Sequence, residues 1–171
     1  MYPFRRHDLL LSAGTSSLDF RANGLIQLWE ADSWECRFTF EEHRGDIKSI
    51  ALADCEQWFV SAGDDGFLYL WDPFAGTLIR RIEAHEGPVE CVAISQDDQL
   101  IASVGWDGRV RIWSAADGQV IASLRVGYPL TRVIWLHPTR CVVAGDHPPM
   151  TLDLATPREA HGPQNAGIDG M

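Results

Sequence analysis

Ser61-Ala-Gly-Asp-Asp-Gly-Phe-Leu-Tyr-Leu-Trp71 returns 42 residues later as Ser103-Val-Gly-Trp-Asp-Gly-Arg-Val-Arg-Ile-Trp113. The serine, both glycines, the second acidic position and the tryptophan hold their places while the rest varies. The same interval carries Trp29 to Trp71, His43 to His85, Gly45 to Gly87 and Gly76 to Gly118. The chain is therefore an array with a 42-residue unit. That length suits one four-stranded propeller blade, whereas helical repeats of similar length would place apolar residues every three or four positions.

Inside the unit the apolar positions alternate in short runs, at 47–52, 58–61, 67–71 and 78–82, then at 89–94, 100–103, 109–113 and 119–124. Asp65-Gly66 and Asp107-Gly108 lie between two such runs. Asp-Gly there is a strong hairpin signal, because the turn needs a positive φ that glycine adopts without steric cost. The pattern predicts strands joined by tight turns, in two complete four-stranded units.

The flanks are less regular. Residues 9–14 and 25–29 repeat the second and third runs, but Ser12 and Trp29 are 17 positions apart where Ser61 and Trp71 are 10 apart. About seven extra residues near 15–21 therefore enlarge that turn, where an insertion costs little and can carry contacts. Ahead of it, Met1 to His7 with Pro3, Arg5 and Arg6 read poorly as a strand. Runs at 130–136, 141–145 and 151–154 predict three strands of a fourth unit, with Tyr128 near the histidine position and no closing tryptophan. Residues 155–171 hold Pro157, Gly162, Pro163, Gly167 and Gly170 and almost no large apolar residue, the composition of a disordered tail. The expected units are 8–40, 41–83, 84–126 and 127–154, with three, four, four and three strands.

Glu42-His43 or Ala84-His85, then Ser-x-Gly-x-Asp-Gly, then a strand ending in Trp71-Asp72 or Trp113-Ser114, resembles the WD-repeat β-propeller family. The likeness is strong over 43–113 and extends more weakly over 8–154. It implies an all-β fold, a partial β-propeller of antiparallel four-stranded blades with about four units. It further implies a hydrogen-bond chain through Trp71, Ser61, His43 and Asp65, and another through Trp113, Ser103, His85 and Asp107. Their chemistry suits such a chain. An indole only donates, a hydroxyl and a neutral imidazole each donate and accept, and a carboxylate only accepts. Each link contributes roughly 1 kcal/mol. Ser61, His43 and Asp65 are also the residue types of a nucleophilic triad. Recurrence at the repeat interval argues for structure, since a catalytic constellation needs one copy in one cleft.

Propellers close with four to eight blades, and the family's usual seven would take about 300 residues, so this chain makes about half a ring. A half ring leaves packing faces bare, which allows self-association, completion by further blades from another chain, or origin as a piece of a longer protein. At 46% apolar the chain is too hydrophobic to be disordered. Its net charge of −10, from 14 basic and 24 acidic residues, opposes nucleic acid and anionic membrane and favours basic partners.

Cys36, Cys55, Cys91 and Cys141 lack zinc or redox spacing, and Cys91 among apolar neighbours reads as a small buried hydrophobe. His137, His147 and His161 stand beside or near prolines without ligand spacing, and no glycine-rich loop opens a helix, so neither metal nor cofactor is expected. Neither a signal peptide nor an 18-residue apolar run is legible, which makes the expected location cytoplasmic.

The resemblance implies a noncatalytic protein–protein interaction scaffold, presenting the loops that carry the His and Asp positions to a protein or peptide. On that face Asp64 and Trp106 precede the turn aspartates, and Lys48 and Glu90 lie near the start of each first strand. Trp106 at a hairpin tip either anchors an interface or packs on a neighbouring loop. Arg109 and Arg111 are expected to cover the adjoining unit or face solvent. The alternatives are a hydrolase or lyase with a channel-face site, which needs single-copy groups near the axis, and an inactive fragment.

Overall fold

The computed structural model describes residues 2–15 and 24–154. The insertion expected at 15–21, apart from Thr15, and the tail expected at 155–171 lie outside them. The described chain is all-β: four antiparallel sheets, each with its strands in chain order. The first holds β1 (Tyr2–Pro3), β2 (Leu9–Thr15), β3 (Gly24–Glu30) and β4 (Cys36–Phe40). The second holds β5 (Ile47–Leu52), β6 (Phe59–Gly63), β7 (Phe67–Asp72) and β8 (Thr77–Glu83). The third holds β9 (Val89–Ile94), β10 (Leu100–Gly105), β11 (Arg109–Ser114) and β12 (Val120–Arg125), and the fourth β13 (Leu130–His137), β14 (Arg140–Gly145) and β15 (Met150–Asp153). The eight strands expected in the two central units form within two residues of their predicted limits.

The first strands of the second, third and fourth sheets lie side by side. Ser49 Oγ accepts from the Val92 amide at 3.2 Å, and the Trp135 indole donates to the Ala93 carbonyl at 3.2 Å. Apolar layers fill the spaces between sheets. Between the first and second, Phe40 lies 5.0 Å from Trp71, beside buried Leu28 and Phe59. Between the second and third, Trp113 joins Leu68, Leu70 and Ile82. Burying each such side chain stabilises by about 1.5 to 3 kcal/mol. This stack of blades is a partial β-propeller.

One expectation is corrected. Residues 2–3 do form an opening strand, with Tyr2 opposite Leu11 and Pro3 opposite Leu10. Tertiary contacts outweigh the poor local propensity: Phe4 is buried, its amide donates to the Leu9 carbonyl, and the Arg5 and Arg6 amides donate to the Glu56 carboxylate. Proline suits such a short, inner-edge strand because it has no N–H to satisfy.

Glu56 belongs to a repeated device. It and Asp98 stand 42 residues apart in the turns after β5 and β9, at φ 60 and 58. Asp98 accepts from the Asp54 and Cys55 amides at 2.7 and 2.8 Å, so each of these turns grips the turn of the sheet before it. At the other hairpin of the same end, Gly76 and Gly118 take positive φ, and a Cβ at Gly76 would fall 2.3 Å from the Phe38 ring. Trp34 holds the equivalent place in the first sheet at φ 59 and is exposed.

Removing either grip should loosen adjoining sheets. Glu56→Ala and Asp98→Ala are each expected to lower stability by about 2 kcal/mol, the scale of hydrogen bonds to a charged acceptor. Urea unfolding followed by tryptophan fluorescence measures this.

Candidate functional site

In the second sheet the Trp71 indole on β7 donates to Ser61 Oγ on β6 at 2.9 Å, and Ser61 lies 2.8 Å from His43 Nε2. His43 Nδ1 lies 3.0 Å from an Asp65 carboxylate oxygen in the β6–β7 turn. In the third sheet the same contacts through Trp113, Ser103, His85 and Asp107 measure 2.9, 2.8 and 2.8 Å. The two ends set the direction of every proton. The carboxylate takes Nδ1–H, so Nε2 takes the serine proton, and the serine oxygen takes the indole N–H.

Each aspartate also ties down its loop. Asp65 accepts from the Arg44 and Phe67 amides at 2.9 and 3.1 Å, and Asp107 from the Arg109 amide at 3.1 Å. Ser61 is fully buried, with its oxygen occupied by the indole and its proton by His43. The arrangement has a triad's residue types and no route for a substrate to the hydroxyl.

The first and fourth sheets hold remnants. Trp29 donates to Ser12 at 2.9 Å, which among the described residues is the tryptophan–serine link of the chain. In the fourth sheet Leu152 pairs opposite Cys141 as Trp113 pairs opposite Ile101, and Met150 opposite Val143 as Arg111 opposite Ser103. Leu152 thus stands at the tryptophan place and Val143 at the serine place. Tyr128 packs its ring 4.2 Å from His147.

Arg111 is a correction. Its guanidinium turns into the chain instead of covering a neighbour, donating to Asp107 at 2.8 Å with the same nitrogen 2.8 Å from His85 Nδ1. Tyr69, one repeat earlier, donates to Asp65 at 3.4 Å in its stead. Both lie two residues before the tryptophan, on its face of the strand, and that spacing is the signal that identifies them.

The charges respond. Burial pushes His85 below its ordinary 6.5, the bond to Asp107 opposes this, and the Arg111 cation adds to it. Burial alone would raise Asp107, but the bonds from Arg111 and His85 hold it below 3.8. Asp65 is likewise lowered, with the His43 and Arg44 bonds outweighing burial. Tyr69 is pushed up to about 12, by burial and then by the Asp65 charge.

On the loop face, Trp106 is 61% exposed, and among the described residues no neighbouring loop covers it. Asp64 and Lys48 are joined rather than separate, with the ammonium 3.2 Å from Asp64 and 3.8 Å from Asp46. Burial opposes the Lys48 charge, yet Asp64, Asp46 and the nearby half-buried Glu90 raise its pKa. Toward the opposite end, the inner strands frame an open hollow of about 410 Å³ bordered by Arg5, Asp54 and Glu56.

Cys91 is half-buried between inner strands, 3.7 Å from the Val133 carbonyl, not buried as expected. Cys141 is the buried cysteine, its thiol raised by burial to about 11. His137 bonds Thr139 at 3.2 Å, and His161 lies outside the described residues. Among the described residues no group of His, Cys, Asp and Glu is arranged to hold a metal, and no helix is long and apolar enough to cross a membrane.

Residues 34–72 and 76–114 match the family model described as WD domain, G-beta repeat. Each match runs from one sheet's outer strand through the third strand of the next. No curated protein matches the chain.

Two outcomes follow from the chains. Trp71→Phe keeps an aromatic face but removes the donor and some volume, and should cost about 2 kcal/mol in urea unfolding. As pH falls through 6.5 the unfolded chain takes a proton that folded His85 resists, so stability should drop from there downward, with a further loss below 3.8 as Asp65 and Asp107 protonate. Urea midpoints across pH should show both falls, and His85→Gln should lack the first.

Proposed function

We propose that this WD-repeat chain is a noncatalytic scaffold that presents the loops before β5 and β9 and the β6–β7 and β10–β11 turns to a protein or peptide partner. WD repeats serve in general as protein-interaction scaffolds. The observation that carries the reading here is Trp106, a large aromatic side chain exposed at the tip of a turn whose backbone is pinned at Asp107. An aromatic on a rigid support loses little entropy on binding and is a favoured interface anchor.

Asp64, Lys48 and Glu90 make the charged border of the same face. With a net charge of −10 the partner best suited is a basic segment, and nucleic acid and anionic membrane are disfavoured. The Ser–His–Asp sets support a structural role because they are repeated and buried. A cytoplasmic location and pairing with further blades, from a second copy or another chain, belong to the same proposal.

Trp106→Ala separates recognition from folding. Its melting temperature should stay within about 2 °C of the wild type, since exposed substitutions change stability little. Proteins captured by the wild-type chain and quantified by mass spectrometry should fall at least tenfold with the variant. Equal capture, or a large loss of thermal stability, would sink the proposal.

A further inference from the structure

In each complete sheet a fourth strand covers the outer edge of the third, with Trp29 opposite Cys36, Trp71 opposite Leu78 and Trp113 opposite Val120. Among the described residues β15 has β14 on one side and no strand on the other. Beside it, between the third and fourth sheets, runs a groove of about 190 Å³ lined by Val110, Ile112, Ala122, Leu124, Leu152 and Leu154 together with Asp153.

The earlier interfaces show what this groove lacks. Phe40, Ile82 and Leu124 stand 42 residues apart on successive outer strands. Phe40 lies against Trp71 and Ile82 packs with Trp113, and they are 4% and 8% exposed. Leu124 faces Leu152, the smaller residue at the tryptophan place, and is 44% exposed. The groove is a socket of indole type, and Leu152 fills only part of it.

We propose that the socket and the open edge of β15 receive an extended strand from another polypeptide, which pairs with β15 and inserts a tryptophan or phenylalanine side chain against Leu124. Strand addition suits the site because backbone bonds to a free edge supply affinity and a side-chain pocket supplies selectivity. The stretch at the chain's own fourth-strand spacing has a composition unlike the other fourth strands. Fourth strands begin six or seven residues after the tryptophan position, as Thr77 follows Trp71 and Val120 follows Trp113. The matching stretch, Arg158-Glu-Ala-His-Gly-Pro163, has no large apolar residue, and its proline has no N–H. A second copy pairing β15 with β15 brings Met150, Thr151, Leu152 or Asp153, none of them aromatic. The surface lies away from the loop face, so this inference stands or falls independently of the scaffold reading.

The probe is a synthetic peptide of residues 118–126, this protein's own third-sheet outer strand, carrying Val120→Trp. Titrated into the full chain with light scattering alongside, it should bind saturably, and the Val120→Ala form should bind at least tenfold more weakly. Leu152→Trp, which fills the socket, and Leu124→Arg, at an exposed position that leaves the fold intact, should each weaken binding at least tenfold. Absence of saturable binding, equal binding of the two peptides, or unchanged binding to both variants overturns the proposal. So does binding that appears only after deletion of 155–171, which makes that segment the occupant, or a dimer that Leu152→Trp dissociates, which makes a second copy the occupant.

Discussion

An indole placed between two sheets brings a large apolar surface and one N–H donor, and both have to be satisfied in the same dry layer. Trp71 and Trp113 meet the first demand against Phe40 and Ile82. The second propagates. The serine that accepts the indole proton is itself buried and must place its own, the histidine that takes it must donate in turn, and the series ends only at a group that purely accepts. That group is an aspartate in the turn at the sheet's end. A packing requirement deep in the molecule therefore fixes a loop at its surface. Where the indole is gone, at Leu152, the serine place is valine, so donor and acceptor have disappeared together.

The loop face inherits this rigidity. Asp65 and Asp107 each accept both a histidine and backbone amides, so the residues immediately before them, Asp64 and Trp106, project from a fixed base. The two loops are not electrically alike. Asp107 is partnered by the Arg111 guanidinium, and Asp65 by the weakly bound Tyr69 hydroxyl. The same scaffold thus carries a carboxylate balanced by a full cation in one unit and by a neutral donor in the next. The hydrogen-bond chain holds the loops in place, while the residue two before the tryptophan adjusts their charge.

Residues that repeat at one interval made the blades and both hydrogen-bond chains legible, because Ser, His, Asp and Trp recur in order with complementary donor and acceptor capacity. What stayed hidden has physical causes. Arg111 does not repeat Tyr69, so periodicity passes over it, although strand alternation places both toward the aspartate. Glu56 and Asp98 repeat only as carboxylates, and their partners are backbone amides, which leave no trace in side-chain patterns. Strand β1 exists because those amides are gripped from the next sheet. In the fourth sheet the first strand comes early and both turns between its strands are shorter, which together move Leu152 off the 42-residue interval. Only the strand register shows that it stands at the tryptophan place.

The two faces of the fourth sheet obey different rules. Leu28, Leu70 and Ile112 stand at one strand position in the first three sheets, each directed at the following sheet and buried. The fourth sheet puts Thr151 there, and sets the exposed Arg140–Asp153 ion pair where the third pairs Leu100 with Ser114. These substitutions make the outer face of the fourth sheet more polar than the corresponding faces of the first three. On the inner face Leu152 and Leu154 keep the apolar character of an interior unit and leave the groove beside Leu124 partly filled. Ile134 and Leu136 remain exposed on the first strand and Val142 and Ala144 keep the second strand apolar, so the polar change rests on Arg140, Thr151 and Asp153.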